Sequence, residues 1–340
     1  EAISHTTELP RFHFDTETSQ LVLVKPGREG KAIDFEETAA RLLEAGENGG
    51  RLVQAGLEIV PPAVADTVTA AELGIHELIR SDTSRFSGST PERIHNVALA
   101  ASLYDGLLVP PDAVFSFNEH LGDVSFETGY KKTLIIMDGA TADGVGGGVC
   151  QVSTTLFRTA FWAGLPIVDR TAHGYRVAYY EQGAPVGFDA TIYSPVVDFK
   201  FKNDTGAWLL IETSTNTRAA TTTFRFFGTK PNREIAMEGP VIGKSVPPPA
   251  PRTEFDPSLG PGRSKIVEHA RNGASVALTR VIREPGKEEV REVFRSNYVP
   301  TGQITAVGPA APASESPDPG TTQTAENSAG APPGGAPPPP

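Results

Sequence analysis

The sequence predicts an α+β protein of three folded parts and a disordered tail, and three observations carry that reading. A glycine run meets the only cysteine of the 340-residue chain where a helical pattern begins, at Gly146-Gly147-Gly148-Val149-Cys150. Short strand-like runs follow that helix as far as residue 227. Proline-rich segments then set off a second strand pattern and a low-complexity end. The expected layout is a small α+β module over 1–79, a central cysteine-helix plus antiparallel sheet domain over 80–230, an all-β module over 231–308, and a Pro/Ala/Gly/Ser tail over 309–340.

Each element has a local reason. In the first part, the apolar runs 12–14, 21–24 and 57–60 read as strands, and 35–45 reads as a helix because Ala39, Leu42 and Leu43 share one face. Pro61-Pro62 breaks the pattern, and the polar stretch through Ser81-Asp82-Thr83-Ser84 reads as a lead-in to the next block. A helix opens near Ser89-Thr90-Pro91-Glu92, where a hydroxyl cap, an early proline and an acid coincide, and runs through Ile94, Val97 and Leu103 to Gly106. Residues 112–118 read as extended, and the glycine loop then delivers Cys150 to a helix that stops at Ala163-Gly164 ahead of Pro166.

Six candidate strands follow, at 167–170, 177–180, 190–193, 199–202, 208–213 and 222–227, which reads as an antiparallel meander after the helix. Beyond Val246-Pro247-Pro248-Pro249, strands at 275–281 and 289–298 flank a turn at Glu284-Pro285-Gly286-Lys287. The tail is too poor in apolar residues to order itself.

Composition narrows the function. A formal net charge of −11 with no basic run argues against nucleic acid or another polyanion as partner. No apolar stretch reaches the roughly 18 to 20 residues of a membrane helix. The start at Glu1 lacks the basic and apolar segments of a signal peptide, as expected of a mature or trimmed product whose export signal or anchor lies outside this chain.

One cysteine makes no internal disulfide, so burial, a metal or thiol chemistry must account for it. His5, His13, His76, His95, His120 and His269 show no ligand spacing around it, so no metal site is assigned. The glycine run lacks the Lys-Ser/Thr of a phosphate loop, and no cofactor is assigned. A helix start, by contrast, favours thiolate over thiol, and glycines let a substrate backbone approach. His173 is the candidate base and Asp189, ahead of Ala190-Thr191-Ile192, the candidate orienting acid. Arg93, Asn96, Gly147, Gly148, Gln151, Ser153, Arg170 and Tyr175 are candidate substrate contacts around them. A cysteine opening a helix on a sheet, with a histidine on the adjoining strand, resembles the papain and transglutaminase layout.

The string Gly146-Gly147-Gly148-Val149-Cys150-Gln151-Val152-Ser153-Thr154-Thr155-Leu156-Phe157 resembles the signature of the VanW-like family. Arg93 with Asn96, Phe115-Ser116-Phe117-Asn118, the Arg170 to His173 spacing, Asp189-Ala190-Thr191 and Asp198-Phe199-Lys200-Phe201-Lys202-Asn203 follow that family's pattern in order. Residues 1–79 resemble the peptidoglycan-binding module that often precedes this domain. Residues 231–308 resemble the five-glycine wall module that often follows it, with Gly239, Gly262, Gly273 and Gly302 in place and Ala270 where a glycine is expected.

The resemblance implies an extracytoplasmic, wall-associated or secreted bacterial protein whose partners are peptidoglycan stem peptides and glycan strands. It implies a cysteine L,D-transpeptidase that cross-links stem peptides through a Cys150 thioester. The alternatives are a noncatalytic wall-binding or adhesion protein with an inert Cys150, and a cysteine carboxypeptidase or amide hydrolase acting on the same stems.

Overall fold

A computed structural model describes residues 5–137 and 140–310. The chain is a mixture of five α-helices and many strands among these residues, with a β-rich C-terminal region. The helices are α1 (Phe35–Glu47), α2 (Ala70–Leu73), α3 (Pro91–Ser102), α4 (Phe117–Leu121) and α5 (Val149–Ala163). No helix of the described residues is long and apolar enough to cross a membrane.

The platform for the site is a four-stranded antiparallel sheet in the order Glu77–Arg85, Thr221–Gly228, Leu209–Asn216, Leu107–Val109. Alternation along Thr221–Gly228 turns Thr222, Phe224 and Phe226 toward the helices, where Phe224 and Phe226 join the main core with Val152, Leu156, Phe157 and Phe161 of α5. Each such phenylalanine contributes about 1.5 to 3 kcal/mol through burial. The opposite face is covered too: Phe227, Leu210 and Leu108 pack against Phe12 and Phe14 of the N-terminal hairpin Arg11–Asp15/Gln20–Lys25.

Helix α3 starts as its residues dictate. Thr90 caps it by accepting from the Arg93 N–H, and Pro91 fills a position where no donor is needed. Helix α5 is buried on nearly every side, including its polar residues, as expected of a central helix. Its hydroxyls are used internally: Thr155 and Thr159 donate to the carbonyls of Gln151 and Thr155, and Ser153 and Thr154 donate to the Ala190 carbonyl. Gly164 closes it in a left-handed conformation at φ 74°.

A second antiparallel sheet, Ile167–Asp169, Lys200–Lys202, Val114–Ser116, lies beyond the end of α5. Helix α1, with no buried residue, connects the paired strands Gly30–Asp34 and Gly56–Val60. The C-terminal region holds the sheet Glu234–Ile242, Ala274–Arg283, Val290–Tyr298 and the sheet Arg252–Phe255, Ile304–Val307, Ser264–Glu268. Arg280, fully buried, docks this region on the C-terminal end of α5 by donating to the carbonyls of Phe161 and Leu165. A cation there complements the negative end of the helix dipole.

Four expectations about elements are corrected. The strand expected over 177–180 is a 3-10 turn, Ala178–Glu181, because Tyr180 is drawn inward: its carbonyl accepts from Arg158 and its ring packs on His173. Residues 190–193 make only isolated bridges, Thr171 with Thr191 and Tyr193 with Val197. The expected meander is instead the single hairpin Leu209–Asn216/Thr221–Gly228, flanked by strands from earlier in the chain. One of these, Glu77–Arg85, crosses the boundary expected at residue 79 and includes the polar stretch read as a lead-in.

Candidate active site

The glycine loop is shaped by backbone conformations that only glycine adopts easily. Gly146 and Gly148 have φ of 84° and 117°, and a Cβ on Gly148 would stand 3.1 Å from the Arg93 carbonyl oxygen. Asn96 pins the loop to α3, donating to the carbonyls of Gly147 and Lys131 and accepting from the Lys131 N–H. Gly148 caps α5 without a side chain, so the helix start stays open around Cys150.

The Cys150 thiol is half-buried, 3.6 Å from the Thr191 hydroxyl and 3.6 Å from the Ile192 carbonyl oxygen. His173, buried to 2% exposure, donates through Nδ1 to Asp189 Oδ2 at 2.6 Å, and its backbone N–H reaches the same oxygen at 2.9 Å. That bond fixes the tautomer and leaves Nε2 for the thiol. Nε2 meets no partner at full hydrogen-bond geometry among the described residues, yet ring and thiol interact closely enough to shift each other's titration. Such looseness is ordinary for a nucleophile and base before substrate arrives. The structure thus places Cys150 and His173 on the same cleft and holds Asp189 against the His173 ring.

Electrostatics favour the ionised pair. Burial pushes the Cys150 thiol up, but interaction with His173, aided by the Ile192 backbone and the Thr191 hydroxyl, brings it below its usual value. Burial also pushes the imidazole down, and Asp189 and Cys150 reverse this and raise it to about 9. Asp189 would be pushed up by its own burial, yet His173, Arg170 and Tyr298 hold it well below the usual carboxylate range. These directions all favour the thiolate, imidazolium and carboxylate forms over their neutral counterparts.

Cys150 and His173 open onto a cleft of about 720 Å³. Of the residues read from sequence as substrate contacts, Arg93, Gly147, Gly148 and Tyr175 line it. Arg93 lies over the Tyr179 ring at 4.1 Å and bonds Ser89 and Gln151. Asn96, Gln151, Ser153 and Arg170 do not line the cleft, and this part of the reading is corrected. Asn96, Gln151 and Ser153 are fully buried, and Asn96 is committed to the loop, Gln151 to Ser84 and Arg85, and Ser153 to Ala190. Arg170 spends its guanidinium on the carbonyls of Asp189, Gly187 and Arg295 and the Ser296 hydroxyl. Their polar groups brace the walls of the site. The sequence reading missed Thr191 and Ile192 beside the thiol, and it missed the cleft wall of Ile266, Val267, Glu268, His269 and Arg271, which the C-terminal region supplies.

The site thus consists of a half-buried thiol and a buried histidine, itself held by a carboxylate, at the mouth of a cleft. Residues 92–225, which hold all three of these side chains, match the family model described as VanW like protein, and residues 241–310 match that of the G5 domain. The chain therefore contains a VanW-like domain followed by a G5 domain.

It is 42% identical over 126 residues to uncharacterized protein YoaR of Bacillus subtilis (strain 168), a match covering 37% of this chain and 40% of the relative. It is 33% identical over 114 residues to vancomycin B-type resistance protein VanW of Enterococcus faecalis (strain ATCC 700802 / V583), covering 33% of this chain and 42% of the relative. The matches span less than half the length of either relative. The solved IgA1 protease G5 domain aligns at 21% identity and a TM-score of 0.15, covering 24% of this chain and 99% of the other.

Proposed function

We propose that this chain is an extracytoplasmic cell-wall protein whose VanW-like domain is a cysteine L,D-transpeptidase acting on peptidoglycan stem peptides. The observation that carries the proposal is that Cys150 and an Asp189-bonded His173 share a cleft large enough for a peptide. The VanW-like and G5 matches support the location in the wall.

In this reading the Cys150 thiolate attacks the carbonyl that joins the diamino acid at stem position three to the terminal D-alanine. The backbone N–H groups of Val149 and Gln151 already close turns onto the carbonyls of Gly146 and Gly148, so the Cys150 N–H is the donor at the helix start for the developing oxyanion. The C–N bond breaks as the His173 imidazolium gives its proton to the departing amine, and D-alanine leaves. A thioester on Cys150 remains. An acceptor amine then attacks it, passes its proton to the imidazole and displaces the thiolate, which forms the new C–N bond and restores the site.

Water in place of the amine turns the same site into a carboxypeptidase. Purified tetrapeptide stems incubated with the chain, with products read by mass spectrometry, test the proposal. Release of D-alanine with formation of linked stems is expected. Release of D-alanine with only tripeptide as partner would replace transpeptidase by carboxypeptidase, and unchanged stems would leave a noncatalytic wall-binding protein.

A further inference from the structure

The C-terminal region does more than line the cleft. Asp189 stands in an irregular segment with no sheet ladder to fix it, and its carboxylate is buried at 3% exposure. Oδ2 receives the two donors of His173, and Oδ1 receives the hydroxyl of Tyr298 at 2.5 Å, from a residue 109 positions further along the chain. Tyr298 ends the strand Val290–Tyr298, within the G5 match. Ser296 of the same strand accepts from Arg170, and the Arg295 carbonyl accepts from that guanidinium as well. Arg170 in turn holds the Asp189 carbonyl at 2.7 Å. The next residue, Val299, donates its N–H to the Gly174 carbonyl, one position past His173. The two regions meet closely at Gly187, where an added Cβ would lie 2.7 Å from Val276.

We infer that the G5 region is a working part of the active site: Tyr298, assisted by Ser296 through Arg170, is a positioning residue that orients the Asp189 carboxylate toward His173. The inference rests on the reading of Cys150 as an activated thiol. A buried carboxylate needs donors on both oxygens. Without the Tyr298 hydroxyl, Oδ1 keeps only Arg170 at 3.7 Å and the carboxylate is free to turn about its Cβ–Cγ bond. The Nδ1 bond then loosens, the imidazolium loses support, and the thiolate loses its counter-ion. A tyrosine that only glued two regions together would affect melting and leave the thiol's titration in place.

The test compares the full chain with Tyr298→Phe, reading the rate of iodoacetamide alkylation of Cys150 against pH. The chain has one cysteine, so the signal has one source. A cooperative melt shows that the variant is folded. The midpoint of its alkylation profile is expected to move upward by about one pH unit, a roughly tenfold loss of rate on the acid side. Superimposable profiles would overturn the inference while leaving the activated thiol of the parent intact. A parent midpoint near the ordinary thiol value of about 8.5 would instead overturn the activated thiol itself, and the inference with it. Should Tyr298→Phe not fold, Ser296→Ala, which acts on the same carboxylate through Arg170, decides by the same shift or its absence.

Discussion

Cys150→Ala is expected to reduce release of D-alanine and formation of linked stem peptides to background, a loss of at least about 10⁴-fold, with no unfolding. The expected loss is large because the proposed acyl bond is to the Cys150 sulfur, and the hydroxyls that also line the cleft, Thr191 and Ser194, are far weaker nucleophiles than a thiolate. Thr191 is near, but its hydroxyl has no base aligned with it: the one buried imidazole is fixed through Asp189 to serve the thiol. The fold survives because the thiol is only half-buried and its neighbours, the Thr191 hydroxyl and the Ile192 carbonyl, stand at 3.6 Å. Replacing it by a methyl group removes little packing and leaves no tightly bonded partner stranded. A melting curve beside the product assay checks both halves of the expectation. Residual turnover in a folded Cys150→Ala chain would assign the chemistry to another residue.

Asp189→Asn is expected to lower turnover at pH 7 by about 10³- to 10⁴-fold, the scale reached when the orienting acid of a catalytic triad loses its charge. Here the amide oxygen can still accept from the backbone and Nδ1 of His173, so the ring stays in place. What disappears is the charge that offsets the burial of the imidazole. Asp189 and Cys150 together raise His173 to about 9 against a burial effect of opposite sign. Removing the carboxylate lets burial prevail, so the imidazole falls and the thiolate loses its partner.

In the parent, the lowered thiol and the imidazole raised to about 9 favour the ion pair, and activity is expected to fade on the acid side as the thiol takes up a proton and on the basic side as the imidazole loses one near pH 9. The stability that the raised imidazole contributes is fully present below its unfolded value of about 6.5 and is lost as pH rises through about 9. In Asp189→Asn the acid limb of the activity profile is expected to move upward. Stopped-flow alkylation and product assays across pH 5 to 10 on the scale of ordinary titrations check this. An unchanged profile would mean that Asp189 has only a structural role.

The parts of the site that local sequence encodes are legible in advance, and the parts that depend on distant pairing are not. Helix α5 announces itself through its glycine start, its apolar turns and the Gly164 stop, so the position of Cys150 follows from a dozen adjacent residues. His173 and Asp189 stand in short strings that carry the family resemblance, although Asp189 lies in an irregular segment and not at the head of a strand. The substrate contacts read around them were half misplaced, since sequence does not distinguish a polar residue that faces a cleft from one that braces its wall. Gln151 and Ser153 sit beside Cys150 in the chain, yet helical rotation turns both inward to Ser84 and Ala190.

Strand Glu77–Arg85 was hidden for a related reason. Its polar residues are those of a loop, and only the long partner Thr221–Gly228 makes a strand of them. Ser84 and Thr155 then share a buried hydrogen bond of 2.6 Å that joins this strand to α5. Tyr298 shows the same limit most clearly. Its alternation along Val290–Tyr298 signals burial, but nothing in that pattern names a carboxylate 109 residues away.

The central claim is that Cys150 becomes acylated by a stem peptide, and the most direct measurement is the intact mass of the full chain quenched in acid seconds after mixing with a tetrapeptide stem and no acceptor. The expected result is a transient species heavier by the stem less its terminal D-alanine, released by hydroxylamine and mapped to Cys150. A chain whose mass stays that of the free protein at every time point, while D-alanine accumulates in solution, would contradict a thioester mechanism.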